Sequence, residues 1–218
     1  MTTSQQAPRA EATAPSALTT PHTPPAPAPL RVAVVLGSNR EGRFGPVVAE
    51  WLLAEIAERP ELRADLVDVA AADLPTSMPQ RPSPRIDAEL AKVSPLLAEA
   101  DAFVVLTPEY NHSFPAALKN LIDWHYGEWH AKPVGFVSYG GVSGGLRAVE
   151  QLRQVLAELH AVTVRDTVSF ANAGSRFDDE GRLLDPSPSV AAAKGMLDQL
   201  TWWALTLREG RQKRPYRT

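Results

Sequence analysis

A dense group of polar and aromatic residues follows directly on the apolar run 102–106, in the segment TPEYNHSFPAALKNLIDW (107–124). Such residues are poor core material, so this segment either turns the chain or faces a ligand. Pro108 and Pro115 restrict the backbone of this segment. Between them lie three residues suited to ligand contact: Glu109, Tyr110 and Asn111. Amides on this stiff frame could hydrogen-bond a planar heterocycle. The alternative is a helix entry capped by Ser113, but a cap needs only one polar residue.

A second candidate loop is GSNREGRFG, residues 37–45, which lies between an apolar run and a predicted helix start. Ser38 offers a hydroxyl, and Arg40 and Arg43 offer guanidinium groups that suit a phosphate. The amides of the following helix add donors and a partial positive charge. The loop matches neither the Walker pattern nor GxGxxG. A polar turn with solvated arginines is the alternative interpretation.

A third candidate loop is YGGVSGG, residues 139–145, with four glycines among seven residues. Glycine lets the backbone approach a ligand closely. Amides at the start of the next helix suit a developing negative charge. A flexible turn is the alternative for any isolated glycine cluster.

The three loops are placed by an alternating series of predicted elements. Strands are predicted at 31–36, 64–70, 102–107, 133–139 and 162–170, and helices at 46–60, 86–100, 115–124, 146–160 and 188–207. Asp87 is expected to cap the second helix. Alternation of this kind predicts a doubly wound α/β domain with a five-stranded parallel sheet between two helical layers. Ligands of such sheets bind beyond the carboxyl ends of the strands, where the three loops lie.

Composition bounds the remaining possibilities. The 218 residues carry a formal net charge of −3 and no cysteine, which excludes disulfides and thiolate chemistry and gives no overall attraction to nucleic acid or anionic membrane. Residues 1–29 hold seven of the 20 prolines and are predicted to be a disordered extension. The domain is expected at 30–207, followed by a basic, solvated tail at 208–218. No stretch is apolar enough to span a membrane, and the cytoplasm is the expected compartment.

Together, the three loop segments resemble the signature segments of the NADPH-dependent FMN reductase family, a flavodoxin-like group that includes quinone, azo-dye and chromate reductases. The resemblance covers most of residues 30–170, in the right order and spacing, and the segment at 107–124 is its most specific part. It implies FMN and NADPH as cofactors, strand order 2-1-3-4-5, and a homodimer or homotetramer.

The resemblance also implies particular binding residues. Those for the FMN phosphate are Ser38 and Arg40; the family usually has a second Ser near the end of this loop, where Arg43 and Phe44 stand here. Arg43 could replace that hydroxyl, face solvent or face NADPH. The segment beside the isoalloxazine comprises Pro108, Glu109, Tyr110 and Asn111. The loop at the pyrimidine end of the flavin comprises Gly140, Gly141 and Ser143.

The predicted function is an NAD(P)H-dependent flavin oxidoreductase that passes hydride through FMN to a quinone, flavin or similar small acceptor by a ping-pong mechanism. The flavin supplies the reactivity, so no catalytic side chain is predicted; amides of 140–145 would stabilise charge on the reduced ring. The alternative is an FMN-binding electron carrier or redox sensor without nicotinamide turnover. The arginine-bearing loop and slight net charge favour the enzyme. Arg43 and Arg147 are open candidates for the NADPH 2′-phosphate.

Two aromatic-rich segments outside the loops have simpler interpretations. HYGEWH, residues 125–130, matches no standard metal spacing, so a solvated or interface segment is expected and no metal is predicted. The aromatic residues Trp124, Tyr126 and Trp129 are assigned to a subunit interface. Trp202 and Trp203 are expected to pack the last helix.

Overall fold

The structure, a computed structural model, describes Met1 and residues 28–217. Nearly all of the predicted extension at 1–29 lies outside the described residues, so the expectation of disorder there stays a prediction. None of the helices within 28–217 combines the length and apolarity needed to span a bilayer.

Five parallel strands form one sheet. They are β1 (Leu30–Leu36), β2 (Leu62–Asp68), β3 (Ala102–Pro108), β4 (Pro133–Gly140) and β5 (Val162–Ala171). Their order is β2-β1-β3-β4-β5, which confirms the predicted topology. The β1, β3 and β4 strands lie inside the sheet and are buried along nearly their whole length, as expected for parallel strands covered on both faces.

Residues 28–217 form six α-helices. They are α1 (Gly45–Ala57), α2 (Pro84–Leu90), α3 (Ser94–Glu99), α4 (Ala116–Asp123), α5 (Leu146–Glu158) and α6 (Ser187–Lys213). All but α2 contribute buried residues against the sheet. Residues of α1 and α6 pack against one face of the sheet and form the first core cluster with it. Residues of α3, α4 and α5 pack against the other face and form the second core cluster with it. This is the predicted three-layer α/β sandwich.

The single helix predicted at 86–100 is wrong, because two short helices occupy this region. Pro95 lies in the first turn of α3, where its missing amide is harmless. Inside one continuous helix it would lose a hydrogen bond and clash with the carbonyl of residue 91, so α2 ends at Leu90 and α3 begins at Ser94. The cap of α2 also differs from the prediction: Ser83 Oγ accepts a hydrogen bond from the Ile86 amide at 3.4 Å, and Asp87 lies inside the helix.

The last helix is longer than predicted and ends at Lys213, so much of the supposed solvated tail is helical. Its last turns carry Arg208 and Arg211 to the amino ends of the strands. There Asp101 accepts hydrogen bonds from the Arg31 amide at 3.0 Å and from Arg208 at 3.3 Å, and Arg211 Nη2 lies 3.7 Å from its other oxygen. These ion pairs hold the end of α6 against the sheet.

The segment at 125–130 is more deeply packed than predicted. Trp129 is fully buried, with its ring centroid 4.4 Å from that of Phe103, so its assignment to a subunit interface is wrong. His125 is also buried and bonds Ser94 Oγ and the Leu121 carbonyl, both at 2.8 Å. Within residues 28–217, no group of three His, Asp or Glu side chains is arranged to hold a metal ion.

The two tryptophans of α6 differ in environment. Trp203 packs against the first core cluster, as expected for helix packing. Trp202 is 59% exposed, although its ring lies edge-on to that of Trp203 at 5.0 Å. Helix packing therefore explains only the second of the pair.

Candidate functional site

The loops after β1, β3 and β4 meet at the carboxyl edge of the sheet, as predicted. The β1 and β3 loops are joined by Ser38 Oγ and the Tyr110 hydroxyl, 2.7 Å apart. The β3 and β4 loops are joined by Ser143 Oγ, which donates to the Glu109 carboxylate at 2.8 Å. Contacts between side chains therefore link all three predicted segments into one surface.

The β1 loop leads into α1 without a side-chain cap. Pro46 has no N–H, and the Val47 amide donates to the Phe44 carbonyl at 3.1 Å. Gly45 is therefore the first residue of the helix whose amide could serve a ligand. Arg40 is exposed beside this helix end, whereas Ser38 is fully buried and its hydroxyl is engaged by Tyr110. The helix start, an exposed guanidinium and a nearby hydroxyl together suit a phosphate.

Arg43 has a different environment from its neighbours. Its guanidinium donates to Asp68 Oδ1 at 2.6 Å and to the Ser38 carbonyl oxygen. The hydrogen bond to Asp68 raises the pKa of Arg43, against the opposing effect of burial. Arg43 thus ties the β1 loop to the end of β2. Of the three alternatives considered for Arg43, none included this partner on a neighbouring strand.

Phe44 and Tyr139 form an aromatic support below the start of α1. The Phe44 ring lies 6.1 Å from that of Tyr139 and 5.4 Å from that of Phe177, both measured between centroids. Tyr139 is 5% exposed, and its hydroxyl has no hydrogen-bond partner in the described part of the chain. Burial raises the pKa of Tyr139, and nearby Tyr110 raises it further. A Cβ atom on Gly45 would lie only 2.8 Å from this hydroxyl, so the hydroxyl requires glycine there.

The β3 loop is a tight turn that projects two residues into solvent. Tyr110 and Ser113 exchange backbone hydrogen bonds of 2.8 and 3.1 Å, and Asn111 and His112 between them have φ of 50° and 72°. Asn and His tolerate this left-handed region better than most residues. Ser113 does not cap α4; its hydroxyl donates to Gln151 of α5 instead. The alternative interpretation, a helix entry capped by Ser113, is therefore wrong, and the loop is fixed from α5.

Glu109 links the β3 loop to the start of α5. Its side chain is 6% exposed and pairs with the guanidinium of Arg147, whose backbone amide also donates to it at 3.2 Å. Burial acts to raise the pKa of Glu109, but the hydrogen bonds from Ser143 and Arg147 outweigh it, and the pKa lies below its ordinary value. Glu109 is therefore a charged carboxylate at neutral pH.

Only part of the β4 loop is available to a ligand. The Gly144 and Gly145 amides are used internally, donating to the Gly141 carbonyl at 3.1 Å and to Ser143 Oγ at 3.4 Å. Gly141 and Val142 are exposed, and their amides donate to none of the residues at 28–217. The expectation that amides throughout 140–145 face the ligand is therefore narrowed to these two.

Gly144 and Gly145 have backbone conformations that only glycine adopts without strain. Their φ angles are 60° and 86°, and an added Cβ would lie 2.3 Å from Ser169 Oγ or 2.7 Å from Ser138 Cβ. Gly141, in contrast, faces open space. The two constrained glycines fix the loop, so that its exposed residues are held at the end of β4.

A cleft of about 370 Å³ opens beside Tyr110 and Asn39. Its far wall comes from the chain after β2 and includes Val69, Asp73 and Leu74. Asn120 of α4 and Trp124, the residue after this helix, hold this wall through hydrogen bonds of 2.9 Å to the carbonyls of Leu74 and Pro75. Sequence reasoning missed this wall. The only signal for it was its position after a strand that neighbours β1.

Comparisons with known proteins define the class. The sequence profile of the NADPH-dependent FMN reductase family matches residues 30–175, so the chain belongs to this family and the predicted membership is confirmed. FMN and NAD(P)H are the cofactors for which the family is named. The chain is thereby placed among the flavin-dependent reductases, as predicted.

Individual relatives support this assignment. An NAD(P)H-dependent FMN reductase of Schizosaccharomyces pombe is 39% identical over 132 residues, which span 57% of this chain and 64% of the relative. A quinone reductase of Escherichia coli is 32% identical over 179 residues, covering 79% of this chain and 90% of the relative. The flavoenzyme NAD(P)H:(acceptor) oxidoreductase FerB of Paracoccus denitrificans superposes with a TM-score of 0.64 at 24% identity, covering 81% of this chain and 98% of that one, and supports the fold.

Proposed function

We propose that this chain binds FMN at the carboxyl edge of the sheet and transfers reducing equivalents from NAD(P)H to a quinone, flavin or similar small acceptor in a ping-pong reaction. The observation that carries the proposal is the junction of the three loops through Ser38–Tyr110 and Glu109–Ser143. These contacts bring a phosphate-type donor set and two free loop amides to the same edge, at the strand-order switch where α/β sheets bind ligands.

The residues present fit FMN. The uncapped start of α1 and the exposed Arg40 suit the phosphate, with Ser38 Oγ contributing once Tyr110 releases it. Pro108, Glu109, Tyr110 and Asn111 would lie along the isoalloxazine. The amides of Gly141 and Val142 would face its pyrimidine end, together with the backbone of Gly140. Arg43 and Phe44 would support the phosphate loop from below rather than contact the ligand.

The protein would position the reactants and stabilise charge. When bound, FMN would supply the redox chemistry: acceptance of a hydride from NAD(P)H, and transfer of its two electrons and one proton, together with one proton from solvent, to an acceptor such as a quinone. The exposed amides at the β4 loop would stabilise the negative charge of the reduced ring. No side chain at the edge is required as a nucleophile or strong base, so we assign no catalytic residue and no metal.

The size and lining of the cleft bear on the acceptor. About 370 Å³ is enough for a planar molecule of one or two rings. Its wall combines apolar side chains with polar groups, which come from Asn39, Asp73, Thr76, Tyr110 and Asn120. A quinone combines a flat apolar body with two polar oxygens, and the name of the Escherichia coli relative supports the same acceptor class.

An FMN-binding electron carrier or redox sensor is the second candidate. A carrier needs flavin exposed to a protein partner but no space for a nicotinamide. The cleft beside Tyr110 provides such space, which favours the enzyme. A homodimer or homotetramer, NADPH as the preferred nicotinamide, and a cytoplasmic location remain proposals that follow from the family resemblance.

An anaerobic visible spectrum of the full chain with FMN tests the proposal. NADPH should bleach the bands of the oxidised flavin within turnover time, and adding a quinone should restore them. Flavin that binds but stays oxidised would favour the carrier or sensor. Absence of flavin binding would refute both candidates.

A further inference from the structure

The Glu109 carboxylate lies where two loops and a helix meet. One oxygen, Oε2, accepts from Ser143 Oγ at 2.8 Å and from the Arg147 amide at 3.2 Å. The other, Oε1, pairs with the Arg147 guanidinium. The Glu109 amide also donates to the Tyr139 carbonyl at 3.3 Å. Glu109 therefore connects the β3 loop to the β4 loop and to the first turn of α5.

The same contacts balance charge at the start of α5. A helix amino terminus carries partial positive charge, so a cation there is unfavourable and an anion is favourable. Arg147 is in the first turn of α5, and Gly145 provides no side-chain cap. Glu109 supplies the missing acceptor and neutralises Arg147. Without that carboxylate, the β4 loop would sit beside both a helix amino terminus and an uncompensated guanidinium.

Arg147 is held in place by more than Glu109. Its side chain is 49% exposed, and its Nη1 lies 3.1 Å from His112 Nδ1 in the β3 turn. Gln151, one turn further along α5, donates to the His112 carbonyl at 2.8 Å. These contacts keep the guanidinium beside the β3 loop when the charge of Glu109 is removed, so its electrostatic effect persists at the site.

We propose that Glu109 is a positioning residue that cancels the charge of Arg147 and so keeps the reduction potential of the bound flavin low. The inference rests on the proposed function. Reduction adds negative charge to the flavin, so an uncompensated cation nearby favours the reduced form and raises the potential. With Glu109 in place, the Gly141 and Val142 amides stabilise the reduced ring without help from an arginine, and the reduced flavin stays a strong donor to the acceptor.

The first test is Glu109→Gln in the full chain loaded with FMN. The glutamine oxygen can still accept from Ser143 and from the Arg147 amide, so the loop geometry is kept while the charge is lost. The matched control is Glu150→Gln, which removes the same charge from a 77% exposed side chain on α5. The midpoint potential is measured anaerobically against a reference dye, and the dissociation constant for oxidised FMN is measured by flavin fluorescence.

We expect Glu109→Gln to raise the midpoint potential by about 30 mV, equivalent to about tenfold tighter relative binding of reduced FMN for a two-electron couple. The dissociation constant for oxidised FMN reports any loss of contact separately, because the midpoint potential depends only on the affinity for reduced FMN relative to oxidised FMN. Glu150→Gln should leave both quantities unchanged. A lower potential in Glu109→Gln would mean that Glu109 acts by ordering the loop, and would overturn the inference.

The Arg147→Gln variant and the variant that carries both Glu109→Gln and Arg147→Gln complete a double-mutant cycle. Arg147→Gln should lower the potential, because Glu109 is then uncompensated, and the double variant should return close to the wild-type value. Shifts of the same sign in both single variants would overturn charge cancellation. The test also separates the two proposals: wild-type protein that is reduced by NADPH, with unchanged potentials in the variants, refutes only the role of Glu109. Wild-type protein that binds no FMN refutes the proposed function.

Discussion

At the amino edge of the sheet, Asp101 gathers three arginines through ion pairs and hydrogen bonds, whereas at the carboxyl edge several polar groups of the loops face solvent. Asp101 is 14% exposed and serves Arg31, Arg208 and Arg211 at the amino edge. Within residues 28–217, the carboxyl edge presents a start of α1 without a side-chain cap, a Gly141 amide without an acceptor and a Tyr139 hydroxyl without a hydrogen-bond partner. The same strands and helices reach both edges, so the two edges differ in the segments that connect these elements. Connecting segments whose polar groups are paired stabilise the fold, and those whose polar groups lack partners are available to ligands.

The largest effect that would separate the two edges is expected from Asp101→Asn. The change leaves Arg208 and Arg211 facing each other without an anion, at a site largely shielded from water. We expect a loss of about 3 kcal/mol in the free energy of unfolding, measured by urea titration, with FMN affinity unchanged. Asp123→Asn, which breaks an exposed pair with Lys119, should cost less than about 0.5 kcal/mol. Equal losses in the two variants would contradict the view of Asp101 as a stabilising hub.

The pH dependence of stability at the amino edge between pH 8 and 9 should be dominated by Lys132. It is 7% exposed at the start of β4 and donates to the carbonyls of Leu97 and Ala98 at 3.0 and 2.9 Å. Burial, with nearby Arg211, lowers its pKa to about 8. Above that pH the unfolded chain holds the proton and the folded chain releases it, so stability rises with pH. We expect a gain of about 1 kcal/mol between pH 8 and 9 relative to Lys132→Met.

Urea titrations of both proteins at several pH values measure this gain as a difference, so other titrating groups cancel. Below pH 7 the difference between wild type and Lys132→Met should be constant with pH. A difference that stays constant from pH 8 to 9 would show that folding does not lower the pKa of Lys132, contrary to the prediction.

The smallest effect is expected at the carboxyl edge, from Tyr139→Phe. Removing a buried hydroxyl that has no partner should stabilise the FMN-free protein by up to about 1 kcal/mol. The matched change is Tyr110→Phe, which removes a hydroxyl bonded to Ser38 and should destabilise by a similar amount. Stability changes of opposite sign in the two variants, measured by thermal unfolding, would support the distinction between hydroxyls with and without a hydrogen-bond partner. A loss of stability in Tyr139→Phe would show that its hydroxyl is satisfied.

Local signals, namely β-branched runs and helical periodicity, were sufficient to predict the strands and the edge at which the loops meet. The order of the strands was implied by the family resemblance. The junctions between loops were not predictable in the same way. The partner of Arg43 is Asp68, and that of Glu109 is Arg147, which lie 25 and 38 residues away. Such pairs depend on which strands become neighbours, and residue type alone leaves several partners equally suitable.

The end of α6 and the burial of Trp129 likewise depend on residues that are distant in the sequence. Local sequence near Leu207 contains basic residues typical of a solvated tail, but Asp101 and the Ala131 carbonyl provide partners for Arg208 and Arg211. Trp129 follows a polar segment yet fills a gap beside Phe103. Tertiary contacts decided both cases. The break at Pro95 is different, because its cause is present in the local sequence and was overlooked.

The four glycines of the β4 loop differ in how much sequence variation they should tolerate. Gly144 and Gly145 combine positive φ with Cβ positions that collide with Ser169 and Ser138, so a library of variants selected for folding should recover only glycine there. Gly141 faces open space and should accept alanine or serine without loss of the fold. The loop therefore separates into a half that is fixed by packing and a half whose sequence is free to change with the ligand.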